Sequence, residues 1–179
     1  MTVKLGQPAP DFTMPSIRQG EGIPRVLKLE DYRGKWLILF FYPFDFSSVC
    51  PTEILSMHHR LDEFHKLNTE VIGVSTDSIY SHKAWVRAPR DANGIGELSF
   101  PLASDYSKET AAAYGVLDEK TSAAQRGLFI IDPEGIVQYI VITNMNVGRS
   151  TDETLRVLEA LQSGGLCPMD WKPGQATLK

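Results

Sequence analysis

Cysteine is scarce in this chain, which carries two, Cys50 and Cys167. The first ends the stretch FFYPFDFSSVCPTE, residues 40–53, where bulky apolar side chains give way at Pro43 and Ser47, Ser48, Thr52 and Glu53 surround the thiol. Such a thiol has three uses: a small core hydrophobe, a metal ligand or a redox group. The polar surroundings, at a point where functional groups of α/β proteins collect, argue against the first. Cys50 also falls where a helix should begin, so backbone N–H groups and the positive end of the helix dipole favour the thiolate, the form that attacks electrophiles. Pro51 lacks an N–H and suits the first helical turn, fixing the backbone without consuming a donor. No CxxC pair exists, which excludes a resident thioredoxin-type dithiol. Cys167 lies in GGLCPMDWKPG, a Gly- and Pro-rich stretch with the composition of a mobile tail. A reactive thiol with a second thiol on such a tail suggests attack, oxidation and capture by the second sulfur.

The elements around these residues follow from pattern. KWLILFFY (35–42) is apolar on both faces, as a central strand between helical layers would be. From Pro51 through residue 68, Ile54, Met57, Leu61 and Phe64 recur at helical spacing, with Glu53 in the first turn. EVIGVSTD (70–77) predicts a second buried strand, residues 78–89 a helix stopped by Pro89, 100–105 a short strand and 107–116 a short helix. RGLFIIDPEGIVQYIVIT (126–143) reads as a hairpin turned by Asp132-Pro133-Glu134-Gly135. Residues 150–165 predict a capped helix stopped at Gly164-Gly165, and residues 1–28 an irregular or hairpin-like start. Strands alternating with helices predict an α/β sandwich with helices on both sheet faces.

Length and composition bound the function. At 179 residues, the chain is expected to form one domain. A net charge of −4 without a basic cluster argues against sequence-independent binding to nucleic acid. The start MTVKLGQPAPDF has no apolar run of the kind a signal peptide needs, and Trp36 to Phe44 is too short for a membrane helix. The chain is therefore expected in the cytoplasm, away from membranes. His58 and His65 share roughly one helix face, but no Cys or carboxylate cluster completes a zinc-like set. No metal is expected.

Together, FYPFDFSSVCPTE, RGLFIID (126–132), ITNMNVGRSTDETLRVLEALQ (142–162) and CPMDWKPG (167–174) resemble, in the same order, the typical two-cysteine peroxiredoxins of the alkyl hydroperoxide reductase C type. The resemblance covers nearly the whole chain. It implies a thioredoxin-like α/β fold, a central mixed sheet flanked by helices, over residues 1–179, with 163–179 the mobile tail. The family's Pro-x-x-x-Thr/Ser-x-x-Cys pattern falls on Pro43, Ser47 and Cys50. By resemblance Cys50 is the peroxidatic nucleophile, Ser47 holds the peroxide, Pro43 shields the thiolate, and Arg126 stabilises both thiolate and transition state. Glu53 would orient an active-site arginine, and Arg149 resembles a second arginine near the site. Cys167 looks like the resolving cysteine, supplied by the partner subunit of a homodimer, five of which often form a decameric ring. Thioredoxin or a flavoprotein disulfide reductase would restore the thiols, and no bound cofactor is implied. The activity implied is antioxidant reduction of hydrogen peroxide and organic hydroperoxides. A chaperone-like holdase ring is an added alternative, and a thiol-disulfide oxidoreductase another.

Three departures stand out. Ser47 replaces the usual Thr and loses a methyl that restricts the rotamer. Ser48 stands where an aromatic residue is common. NGIG (93–96) replaces the GGLG of over-oxidation-sensitive members, and their C-terminal Tyr-Phe helix is missing. With nothing expected to pin the Cys50 segment, resistance to over-oxidation is predicted.

Overall fold

The computed structural model describes residues 3–18 and 23–179, and these divide into two compact units, one ending at Arg149 and one running from Ser150 to Lys179. In the first, the elements are β1 (Thr13–Ile17), β2 (Arg25–Lys28), β3 (Trp36–Phe41), α1 (Cys50–His59), α2 (Leu61–Lys66), β4 (Thr69–Ser75), α3 (Ile79–Arg87), β5 (Leu102–Ser104), α4 (Glu109–Ala113), β6 (Leu117–Asp118), β7 (Ala123–Ala124), β8 (Arg126–Ile131) and β9 (Val137–Thr143). Short 3-10 turns occupy Leu29–Tyr32 and Arg90–Ala92. The second unit contains α5 (Thr151–Ser163).

Among the described residues, seven strands form one mixed sheet in the order β2-β1-β5-β4-β3-β8-β9. β3 is parallel to β4 and antiparallel to β8, and β8 forms the expected hairpin with β9. Five of the six β3 residues are buried, because a strand covered on both faces needs apolar side chains at every position. On one face Leu37, Leu39 and Phe41 join Ile72, Val74 and Phe129 in a continuous core. Phe129 meets Phe41 and Tyr114 edge to face, with ring centroids 5.8 and 4.9 Å apart. Ile38 and Phe40 are equally buried on the other face.

The continuous helix expected from Pro51 to residue 68 is two helices. The break falls at Arg60 (φ −106°, ψ 8°), and Ile54, Met57, Leu61 and Phe64 are all buried. Arg60 then pairs with Glu63 in the first turn of α2. The two-residue strands β6 and β7 have too little pattern to be legible in sequence.

Of the two forms expected for the start, the hairpin-like one is present as the antiparallel β1–β2 pair; residues 19–22 lie outside the described residues. In the second unit Ser150 caps α5 by accepting from Glu153 N at 3.1 Å, and Gly164 ends the helix in the left-handed conformation. The segment after it folds back on itself, with Leu178 N donating to Leu166 O at 2.8 Å.

The site's position follows from this topology. The C-terminal ends of the parallel strands β3, β4 and β5 share one edge of the sheet, where α/β proteins place their chemistry. Antiparallel pairing of Phe40 with Leu128 puts Arg126, two residues earlier on β8, level with the point where β3 runs into the Cys50 loop. Because Leu39 is fully buried at the centre of this arrangement, Leu39→Ala is expected to cost about 2–5 kcal/mol of unfolding free energy, read from urea denaturation.

Candidate active site

Cys50 is the first residue of α1 and is fully buried, with Pro51 following it in the first turn as expected. The preceding loop places Pro43 in the interior and leaves Ser47 half-buried and Ser48 exposed. The Ser47 hydroxyl donates to Phe44 O at 2.9 Å, which leaves its oxygen able to accept a hydrogen bond from a ligand.

Arg126, from β8, reaches the sulfur. Its Nη1 lies 3.3 Å from Cys50 Sγ and 2.7 Å from Glu53 Oε2, while its Nε donates to Met145 O at 2.7 Å. Glu53 lies one turn along α1 from Cys50 and is buried. Arg149 grips the same carboxylate, with Nε donating to Oε1 at 2.7 Å, Nη2 to Oε2 at 2.9 Å and its backbone N–H to Oε1 at 2.8 Å. The remaining Arg149 donor, Nη1, bonds Gly127 O at 2.6 Å, and the guanidinium stacks over the Phe40 ring at 5.4 Å. Both arginine side chains are about one-twentieth exposed. Two guanidinium charges facing one carboxylate leave an unbalanced buried positive charge, and Cys50 sulfur is where Arg126 directs it.

Burial pushes the Glu53 carboxyl up, but hydrogen bonds and charge from Arg149, joined by the charge of Arg126, outweigh it and hold the pKa below the ordinary 4.5. Arg149, less prominent in sequence than Arg126, proves to make the greater share of the bonds to Glu53.

A second buried constellation escaped sequence reasoning. Asp45, inside the Cys50 loop, accepts from Tyr42 Oη at 2.9 Å and from Ser81 Oγ at 2.7 Å, and faces His82 Nδ1 at 2.8 Å. His82 Nε2 faces Ala103 O at 3.2 Å, so that nitrogen must carry hydrogen. Asp77 continues the network, accepting from Asp45 N at 2.9 Å and Ser75 Oγ at 2.7 Å. The signal was present in FFYPFDFS, where a carboxylate interrupts an apolar run, but apart from Tyr42 its partners lie just past β4 and on α3. Among the described residues, no three His, Cys, Asp or Glu side chains gather as a metal would require. No helix among them is long and apolar enough to cross a membrane.

The sequence pattern of the AhpC/TSA family matches residues 5–140. The Bacillus subtilis (strain 168) protein YkuU, which carries a provisional peroxiredoxin name, is 53% identical over 175 residues, 97% of each chain. The chain belongs to the AhpC-type two-cysteine peroxiredoxins. Peroxiredoxin-1 of Gallus gallus is 49% identical, covering 98% of this chain and 89% of its own. The crystal structure of reduced Plasmodium vivax 2-Cys peroxiredoxin superposes with a TM-score of 0.94 at 38% identity, covering 98% of this chain and 92% of that one. The fold is accordingly thioredoxin-like, and this peroxiredoxin is a thiol-dependent peroxidase that takes peroxide and needs a reductant. The similarities do not favour the holdase alternative.

The depressed carboxyl of Glu53 makes a pH prediction. In the unfolded chain this group takes up its proton near 4.5, and in the folded protein only below that, so the unfolded state binds more protons in between. Its contribution to stability is complete above that range and falls as pH drops through the folded pKa. Glu53→Gln should cost about 3–5 kcal/mol near neutrality, as for a broken buried ion pair. Urea denaturation of both proteins should show the gap narrowing below pH 4.5. A gap constant down to the acid transition would contradict it.

Proposed function

We propose that Cys50 is the peroxidatic nucleophile and Cys167 the resolving thiol of this peroxidase. The observation that carries this reading is the Arg126 Nη1 group shared between Cys50 Sγ at 3.3 Å and Glu53 Oε2 at 2.7 Å. An always-charged guanidinium in that position stabilises a sulfur anion and the negative charge that grows as an O–O bond breaks.

In the first step the Cys50 thiolate attacks one peroxide oxygen. The S–O bond forms, the O–O bond breaks, and the departing oxygen leaves with a proton as alcohol or water, giving a sulfenic acid. Ser47 accepts a hydrogen bond from the peroxide while donating to Phe44 O. Pro43 forms the wall that keeps water from the sulfur. Glu53 holds both guanidinium groups, and Arg149 fixes Glu53, so these two position the group that does the electrostatic work.

In the second step Cys167 sulfur attacks Cys50 sulfur, the S–S bond forms and the sulfenic oxygen leaves as water. Both cysteines are free thiols in this structure. Cys167 comes from the partner subunit of a homodimer, and five dimers make a decamer. Residues 1–179 act as one thioredoxin-like domain with 163–179 as the mobile carrier of Cys167. The substrates are hydrogen peroxide and organic hydroperoxides, the reductant is thioredoxin or a flavoprotein disulfide reductase, and the setting is the cytoplasm.

Peroxide consumption with a supplied thiol reductant tests the roles. Cys50→Ser should abolish turnover, and Cys167→Ser given one equivalent of peroxide without reductant should yield a trappable sulfenic acid and no disulfide. On a non-reducing gel the oxidised wild type should run as a linked dimer that dithiothreitol collapses. A wild type that stays monomeric after peroxide would overturn the intersubunit step. Arg126→Ala should slow Cys50 oxidation by about 10²–10³, the usual effect of removing one preorganised charge-stabilising donor.

A further inference from the structure

From the geometry we infer that Asn93 is a positioning residue for the peroxidase cycle, a clasp that holds the Cys50 loop closed and sets how long oxidised Cys50 waits before Cys167 can reach it. The inference rests on the roles proposed for the two cysteines.

Asn93 Nδ2 lies 2.7 Å from Phe46 O and 2.9 Å from Ser47 O, two successive carbonyls of the Cys50 loop. Carbonyls only accept, so the NH2 end of the amide faces them, one hydrogen to each. The residue is held from behind. Its backbone is left-handed (φ 60°), a conformation asparagine tolerates, and it closes the Arg90–Ala92 turn with its own N–H donating to Arg90 O at 3.1 Å. Its carbonyl accepts from Trp85 Nε1 at 2.8 Å, and Trp85 is fully buried. Gly94 N donates to Pro89 O, and a Cβ on Gly94 would sit 1.8 Å from Ala88 O, so the turn packs closely on the end of α3 and admits only glycine there.

What Asn93 grips is strained. Phe46 has φ 57°, an uncommon conformation for a bulky side chain, and its ring packs on Trp85 at a centroid distance of 6.0 Å. The hydrogen bond to its carbonyl offsets part of that strain. Cys50 is fully buried in this arrangement, and a second sulfur can approach only if the loop opens. Opening therefore breaks both Asn93 bonds. The expectation that nothing pins the Cys50 segment is thereby corrected: the Asn of NGIG supplies a side-chain hold that a glycine there could not.

The consequence is a competition. While the loop is closed, the Cys50 sulfenic acid can attack a second peroxide, forming a second S–O bond and releasing water or alcohol, and becomes sulfinic acid. Once the loop opens, Cys167 forms the disulfide with loss of water. The clasp shifts the partition toward sulfinate.

The test compares full-length wild type with Asn93→Gly, which keeps the left-handed backbone and loses the amide, and Asn93→Asp, which keeps the shape and replaces donors by acceptors facing carbonyls. Reduced proteins are mixed with hydrogen peroxide. Disulfide formation is followed in a single turnover, and Cys50 sulfinate is measured by mass spectrometry across a peroxide series with reductant present. Disulfide formation should speed up by about tenfold in Asn93→Gly, the scale of losing two neutral hydrogen bonds, and further in Asn93→Asp. The peroxide concentration that half-sulfinylates Cys50 should rise by the same factor. A merely structural role would lower the melting temperature and leave that concentration in place. If both folded variants match wild type within about twofold, a margin smaller than one typical hydrogen bond, the clasp is overturned. If the wild type forms the Cys50–Cys167 disulfide and the partition does not move, this inference fails by itself. If wild-type Cys50 is not oxidised, the cysteine roles fail and take the clasp with them.

Discussion

The active end of this protein depends on one buried carboxylate. Glu53 accepts four hydrogen bonds, one from Arg126 and three from Arg149. Through them it brings together a helix, the first residue of β8 and the loop after β9. Removing charges from water costs several kcal/mol per ion, so such a cluster persists where each charge finds opposite charge and fitted donors. Here the count is deliberately uneven. One carboxylate cannot neutralise two guanidinium groups, and the residual positive charge falls on Cys50 sulfur. The ion cluster and the contact to the thiol share one guanidinium group.

Around that centre the loop from Pro43 to Val49 is held by two further sets of polar contacts. Asp45 ties it inward to Tyr42, Ser81 and His82, and Asn93 holds its backbone carbonyls from the other side. The first set is buried side chain to side chain, so separating it strands charged and polar groups together. The second consists of two bonds to backbone carbonyls from a half-turn held by Trp85. A loop secured this way has a defined closed form and a defined place where release begins.

Much of this was legible in the residues. Apolar runs located β3, β4, β8 and β9, because strands buried on both faces leave little freedom in composition. Cys50 could be placed at the start of α1 because Pro51 and Glu53 mark a first helical turn. The Asp45 and His82 pair was not legible, since nothing local in FFYPFDFS names a histidine more than thirty residues away as its partner. The contacts of Asn93 were not legible for the same reason: they are made to carbonyls that belong to another segment. The helix break at Arg60 also escaped, because the apolar spacing from Ile54 to Phe64 fits a continuous helix well enough on paper.

The two arginines come from opposite strands of one hairpin: Arg126 opens β8 and Arg149 follows β9. Their common carboxylate is 73 residues from one and 96 from the other along the chain. Contacts so distant in sequence require closure of the long loop between β3 and β8, which carries an entropic cost. A chain in which β3 and β8 have not paired therefore carries Cys50 without these charges beside it. The two guanidinium groups thus come to stand beside the sulfur only in a chain whose sheet has formed.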